Sequence, residues 1–273
     1  MKAKTALVTG ASSGIGAATA RLLKKEGFTV YAAARRVELM KPLEEEGIRV
    51  LPLDITDEAS VHACVEAIQA REGRIDIVVN NAGYGSYGAV EEVPLEEARR
   101  QFEVNIFGLA RLTQLVLPAM RENHFGKIVN VTSIGGKIYS PFGAWYHATK
   151  HALEGWSDAL RIETAPFGID VIIVEPGGIR TPWGGIAVDH LRRTSGSSAY
   201  AAAVRKVADG MAKLYAGNQL SDPSVVGQTI ARAVTAARPR TRYAVGYMAR
   251  TVLFMRWLLP DRLFDRMIVS MAG

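Results

Sequence analysis

Short apolar runs alternate with longer amphipathic stretches through the first two thirds of the chain. Runs of the kind that fill buried parallel strands fall at 6–9, 29–34, 49–53, 75–79, 127–132 and 170–175. Helical patterns, with apolar residues three and four apart, lie between them at 14–26, 37–45, 57–71, 95–121 and 145–165. Repeated strand–helix–strand units close through right-handed crossovers. They predict an α/β fold, a doubly wound parallel sheet covered by helices on both faces. Further on come helix-like stretches at 186–191 and 199–214, a last short strand near 242–245, and an apolar, arginine-studded tail over 248–271. No repeat period or low-complexity linker divides the 273 residues, and folds of this class run to that length as one domain. The expected organisation is a single domain, 1–273, with a core at 1–182, a lid at 183–217 and an extension at 238–273. The Ser/Ala-rich stretch 192–203 is the best candidate for a mobile surface segment.

Composition narrows the class. With 48% hydrophobic and 22% charged residues the chain is ordinary globular protein, not disordered or fibrous. Its single cysteine, Cys64, excludes an internal disulfide, and on the apolar stripe Val61, Cys64, Val65, Ile68 it reads as core. The net charge of +6 is lopsided: from residue 238 onward seven arginines face two aspartates, so the tail carries five of those charges. No basic stripe crosses the body, and a nucleic-acid partner is not expected. The apolar run behind Met1–Lys4 is too short for a signal peptide, and no run of 18 apolar residues occurs, so a cytoplasmic protein is expected.

The chemistry begins where the first strand runs into Thr9-Gly10-Ala11-Ser12-Ser13-Gly14-Ile15-Gly16 and then a helix. Gly10 permits a tight turn, Gly14 lets backbone approach a pyrophosphate, and Gly16 lets the helix pack on the strand. The helix N-terminus attracts the anion. A glycine turn in the first βα unit is therefore a dinucleotide signal, including Ser12, Ser13 and Ile15. The second strand ends in Ala34 where an acid would hold a ribose 2′-hydroxyl, and Arg35 and Arg36 follow. A guanidinium pairs with a 2′-phosphate, so NADP(H) is favoured over NAD(H), the alternative being solvated surface charge. Tyr146 and Lys150, four apart on a helix, share a face. A free phenol titrates near ~10; an ammonium and a positive nicotinamide beside it would favour phenolate, and two pH units correspond to about 2.7 kcal/mol. His147 and His151 fall off that face and read as structural.

The motif T-G-x-x-x-G-x-G, then Asn80-Asn81-Ala82-Gly83, Asn105, Ser133, Tyr146-His147-Ala148-Thr149-Lys150 and Pro176-Gly177, resembles the short-chain dehydrogenase/reductase family across 4–182. The resemblance implies that Ser133 holds the substrate oxygen and Tyr146 serves as acid in reduction and base in oxidation. It gives Lys150 two roles, tuning that phenol and binding the nicotinamide ribose. Asn105 anchors a water linking the lysine to solvent. Asp54, supported by Ile55, becomes an adenine contact, with an N-cap near Thr56 as the alternative. Asn81, Ala82 and Gly83 lie by the adenine ribose, and Pro176, Gly177, Ile179 and Thr181 line the nicotinamide. Relatives pair the 95–121 and 145–165 helices across a two-fold axis, which implies a homodimer or homotetramer. The second-strand ending and the long tail are similar to the hydroxysteroid, retinol and acyl-ketone branch. The expected activity is NADP(H)-dependent interconversion of a carbonyl and a secondary alcohol on a bulky lipophilic small molecule. Alternatives are a non-catalytic NADP sensor, against which all four catalytic positions speak, and a lipid-surface protein. Tyr139, Phe142 and Trp145 face the pocket or pack the lid. The tail caps the pocket or touches a subunit, with a membrane surface as the less favoured reading.

Overall fold

Alternate residues of each strand serve opposite faces of one sheet. The computed structural model describes residues 3–271; residues 1–2 and 272–273, the outer ends of the expected core and extension, lie outside the described residues. In chain order the elements are β1 (Thr5–Thr9), α1 (Gly14–Lys25), β2 (Thr29–Ala34), α2 (Lys41–Glu45), β3 (Arg49–Pro52), α3 (Glu58–Glu72), β4 (Ile77–Asn80), α4 (Leu95–Phe102) and α5 (Gly108–Glu122). Then come β5 (Gly126–Val131), α6 (Ala144–Thr164), β6 (Ile169–Pro176), α7 (Trp183–Ser195), α8 (Ala201–Ala216), α9 (Ser224–Thr235), β7 (Arg242–Val245), α10 (Ala249–Leu258) and α11 (Asp261–Met271). The seven strands are parallel, in the order β3-β2-β1-β4-β5-β6-β7. Ala6, Val8, Val30, Ala32, Val129 and Ile172 face the helices α1, α2 and α9. Leu7, Tyr31, Val78, Ile128 and Val171 face α3, α5 and α6. Two buried layers explain why the strands read as continuous apolar runs and not as alternating ones. The order in which strands are added to the sheet reverses between β1 and β4, so the crevice beyond their C-terminal ends is where such a sheet binds ligands.

The structure differs from the sequence reading at four places. The predicted 95–121 helix is broken by a wider, π-type turn at Glu103–Phe107 between α4 and α5. Asn105 sits in that turn, and its amide is bonded to the Tyr84 backbone and to Thr149, so outside contacts hold the distortion. Residues 37–45 form a 3-10 turn and then the short α2, with Pro42 in its first turn. Helix α9 is an element that the sequence pattern does not predict, although Val226, Ile230, Ala233 and Val234 form an apolar stripe buried on the sheet. The supposedly mobile 192–203 is mostly helical; only 196–200 links α7 to α8, and Ser195 is buried with its hydroxyl accepting from Ala89 N at 2.9 Å. Cys64 is buried in the core, as expected.

Candidate active site

A cleft of ≈ 600 Å³ opens at the C-terminal ends of the strands, a size typical of small-molecule sites. Every predicted site residue lines it except Gly16 and Asn105, which lie just behind its wall. The turn after β1 is tied to the end of β4 by a residue missing from the predicted set. Thr9 Oγ1 donates to Val79 O (3.2 Å) and accepts from the backbone N–H of Asn81 and of Ala82 (both 3.0 Å). The Asn81 amide returns a bond to Thr9 O at 2.9 Å. Gly10 has a φ of +64°, and a Cβ there would stand 2.9 Å from Ala82 Cα, so the turn admits only glycine. A Cβ on Gly16 would lie 2.5 Å from Gly10 O, which explains the tight packing of α1 on the turn.

These residues fit a dinucleotide. Ser13 precedes α1 in extended conformation and makes no side-chain cap, so the first-turn N–H groups of the helix are not consumed by it. A Cβ at Gly14 would sit 3.0 Å from Thr181 Cγ2, so the side chain glycine lacks is what leaves a passage between α1 and Thr181. At the far end Arg35 and Arg36 are exposed, and Arg36 donates to Ser12 Oγ at 3.3 Å. Asp54 Oδ1 accepts from Thr56 N (3.0 Å) and Thr56 Oγ1 (2.8 Å). Burial works to raise the Asp54 carboxyl, but those bonds and the Arg35 and Arg100 guanidiniums outweigh it and hold it below the usual carboxylate value. The N-cap considered for Asp54 belongs instead to Asp57, whose Oδ1 accepts from Ala59 N at the start of α3.

Midway along the cleft, Ser133 Oγ accepts from Gly135 N (3.0 Å), donates toward Pro176 O (3.4 Å) and is hydrogen-bonded to the Tyr146 phenol. Lys150 Nζ donates to Val131 O at 3.0 Å. Asn105 Nδ2 donates to Tyr84 O and Thr149 Oγ1, both at 3.0 Å, so its side chain staples the loop after β4 to α6. The expected lowering of the phenol does not arise from the protein groups alone. Burial pushes Tyr146 up to about 12, the bond with Ser133 offsetting part of it, and burial pulls Lys150 down to about 8 against the opposing pull of Glu154. In this cleft desolvation is the largest cause acting on both groups.

The buried lysine carries a stability cost with a defined pH window. Below pH ~8 it is charged in both folded and unfolded chains, and the folded state bears the full desolvation penalty. As pH rises from ~8 to ~10.5 the folded lysine is already neutral while the unfolded one still binds a proton, so the penalty fades. Lys150→Met is therefore expected to stabilise the fold by roughly 1–3 kcal/mol below pH ~8, with the gain shrinking towards pH ~10.5. Thermal unfolding at both ends of that range checks it; a gain independent of pH would refute the cause.

The other end of the cleft is aromatic. Trp183 lies 5.1 Å from the Tyr146 ring, 5.9 Å from Tyr87 and 6.4 Å from Tyr215, ring centre to ring centre. None of Tyr139, Phe142 or Trp145 lines the cleft. Tyr139 packs on Phe264, Phe142 on Tyr200 and Trp145 on Phe102. The cleft tyrosines 84, 87 and 215 are not among the predicted site residues; Tyr84 follows the Asn80–Gly83 motif directly, a signal in plain sight. His147 does line the cleft, yet its ring is spent on structure. Nδ1 lies 2.9 Å from Gly135 O, which can only accept, so Nδ1 carries the proton and Nε2 accepts from Ser140 Oγ at 2.9 Å. His151 Nδ1 likewise bonds His147 O.

The family model described as short chain dehydrogenase matches residues 4–190. A 3-ketodihydrosphingosine reductase from Bacteroides thetaiotaomicron is 43% identical over 182 residues, 66% of each chain. An NADPH-dependent 3-dehydrocapnine reductase from Ornithobacterium rhinotracheale is 34% identical over 279 residues, 96% of this chain and 94% of that one. Among solved structures, a short-chain dehydrogenase from Streptomyces avermitilis superposes with a TM-score of 0.81 at 36% identity, covering 94% of this chain and 93% of the other. Glycine turn, sheet order and full-length likeness agree, and the chain belongs to the short-chain dehydrogenase/reductase family of nicotinamide-dependent oxidoreductases.

Proposed function

We propose that the protein is an NADP(H)-dependent reductase of a bulky, lipophilic ketone, interconverting it with the secondary alcohol. The observation that carries this reading is one continuous cleft, with Arg35 and Arg36 at one end, Ser133, Tyr146 and Lys150 midway, and Tyr87, Trp183 and Tyr215 at the other. The names of the two reductases among its relatives, for 3-ketodihydrosphingosine and 3-dehydrocapnine, support a lipid-like ketone. When bound, the dinucleotide supplies or accepts the hydride. Ser133 and Tyr146 hold the substrate oxygen between them, and Tyr146 passes it a proton in reduction or takes one in oxidation. Lys150 holds the nicotinamide ribose and adds positive charge beside the phenol. Asn105 keeps α6 and the loop after β4 in register. Helices α7 and α8 serve as the lid, and their aromatic lining excludes water from the reacting carbon. A screen of NADPH consumption over steroid, retinoid, sphingoid, acyl-ketone and short aliphatic carbonyls tests this. Turnover is expected to favour the long apolar ketones. Equal or better turnover of short aliphatic ketones overturns the substrate class, and no turnover of any carbonyl overturns the enzyme reading in favour of a sensor.

We further infer a dimer or tetramer. Phe107, at the turn before α5, is 53% exposed and Ile162, on α6, is 70% exposed, apolar residues on the two helical regions that relatives pair. Sedimentation is expected to show the oligomer, and Ile162→Asp to dissociate it; a wild-type monomer at micromolar concentration refutes the inference.

A further inference from the structure

We propose that the hairpin of α10 and α11 is a docking surface for an anionic lipid bilayer. One side of the hairpin is committed to the body of the protein. Val252, Phe264 and Ile268 are buried against Ile138, and the phenol of Tyr139 donates to Asp265 at 2.8 Å. Arg256 belongs to this inner side: it pairs with Asp261 at 2.8 Å and lies over the Tyr139 and Phe264 rings. The two acids of the tail are thus occupied internally.

The outer side is different. Phe254 (55% exposed), Trp257 (79%) and Leu258 (53%) stand at three- and four-residue spacing on one stripe of α10, with Arg250 one turn before them. On α11 Leu263 is 48% exposed, and Arg262 and Arg266, one turn apart, are exposed as well. Among the described residues, Arg250, Arg262 and Arg266 have no carboxylate within ion-pair distance. An aromatic pair with rings 5.8 Å apart, bordered by unpaired guanidiniums, has the chemistry of a bilayer interface, where rings enter the acyl boundary and cations meet phosphate. Charge argues against a second copy of the chain as the occupant. A two-fold contact through this patch would bring six arginines together with both tail acids already paired. The contact is peripheral, because among the described residues no helix is long and apolar enough to cross a membrane. Ile138 lines the cleft and also packs under the hairpin, so docking sets the substrate end of the cleft beside the lipid. Vesicle binding by the hairpin depends on neither hydride transfer nor substrate.

Deleting the tail would strip Ile138 and Tyr139 of their cover, so the test uses surface substitutions in the full chain. Wild-type protein is mixed with vesicles of phosphatidylcholine alone or with phosphatidylglycerol added, then sedimented. It is expected to pellet with the anionic vesicles, to release at high salt and to stay in solution with the neutral ones. Arg250→Gln, Arg262→Gln and Arg266→Gln together should weaken this binding about a hundredfold, from roughly fivefold per arginine near an anionic surface. Phe254→Ser with Trp257→Ser should abolish it, while NADPH binding, read by its fluorescence, stays at the wild-type value in both variants. Wild-type protein that ignores anionic vesicles, or a triple variant that binds them equally well, overturns the proposal. A lipid-free sedimentation coefficient that falls in the Phe254/Trp257 variant, with no vesicle binding by the wild type, assigns the patch to contact between copies instead.

Discussion

Tyr146→Phe is expected to keep NADPH affinity within about twofold and to lower turnover by about 10²- to 10⁴-fold, the span that a positioned proton donor commonly contributes. The substitution removes one oxygen and leaves the ring, so the stacking against Trp183 and Tyr87 survives and the cleft keeps its shape. The phenol matters in different ways for the two directions. Held at about 12 by burial, it is protonated throughout the neutral range, so the donor for reduction is in place without help. Oxidation needs the phenolate, which in this cleft is scarce until a positive charge is added beside it. The wild-type reduction rate is therefore expected to stay flat with pH near neutrality, while the oxidation rate climbs with pH. In the phenylalanine variant both the rate and that climb should vanish. Steady-state rates in both directions from pH 6 to 10, beside a fluorescence titration of NADPH, measure this. Turnover within tenfold of wild type would mean that another group donates the proton. Ser133→Ala gives an independent check, since losing the hydroxyl bonded to that phenol should slow turnover while sparing NADPH binding.

The sheet was legible because its five inner strands are buried on both faces, and double burial leaves largely apolar runs. The glycine turn was legible for a steric reason: Gly10 and Gly16 sit where any side chain would strike backbone, so the chain has little choice there. Tyr146, Lys150 and Ser133 were legible by order and spacing. Less legible was whatever depends on contacts distant in sequence. The π-type turn at Glu103–Phe107 is held by Tyr84 and Thr149, which no local pattern connects to Asn105. The identity of the cleft aromatics was likewise settled by packing. Tyr139 was drawn away by α11 and Phe142 by Tyr200, while Tyr87 and Tyr215 came in from segments with no periodic signal of a pocket. The upward push that burial gives the phenol, and the downward pull it gives the lysine, are invisible in the sequence for a related reason. Spacing on a helix reports a neighbouring charge, but only the folded cleft reports how much water has been removed.

Arg35→Asp is expected to reverse the cofactor preference, cutting NADPH efficiency by about 10²-fold or more while NADH use is kept or improved. Arg35 follows Ala34, the last residue of β2, and lines the cleft with Leu39 and Asp54. A charge-assisted contact to a phosphate contributes roughly 1.5–3 kcal/mol, which is about 10- to 150-fold in affinity. Aspartate removes that contact and sets a carboxylate against the 2′-phosphate, so repulsion adds to the loss. With NADH the same carboxylate can accept a bond from the free 2′-hydroxyl. Arg36 is the weaker partner in this account, because its guanidinium is shared with Ser12 Oγ at 3.3 Å. Arg36→Ala should therefore cost NADPH efficiency severalfold and leave NADH untouched. Asp54 supplies an internal control. Its carboxylate is held by Thr56, and Asp54→Asn should weaken both cofactors alike, since an adenine contact does not distinguish them. Comparison of kcat/KM for NADPH and NADH across the wild type and the three variants decides the assignment. A wild-type protein equally efficient with both cofactors would remove Arg35 from the site, as would an Arg35→Asp variant that loses both in the same proportion.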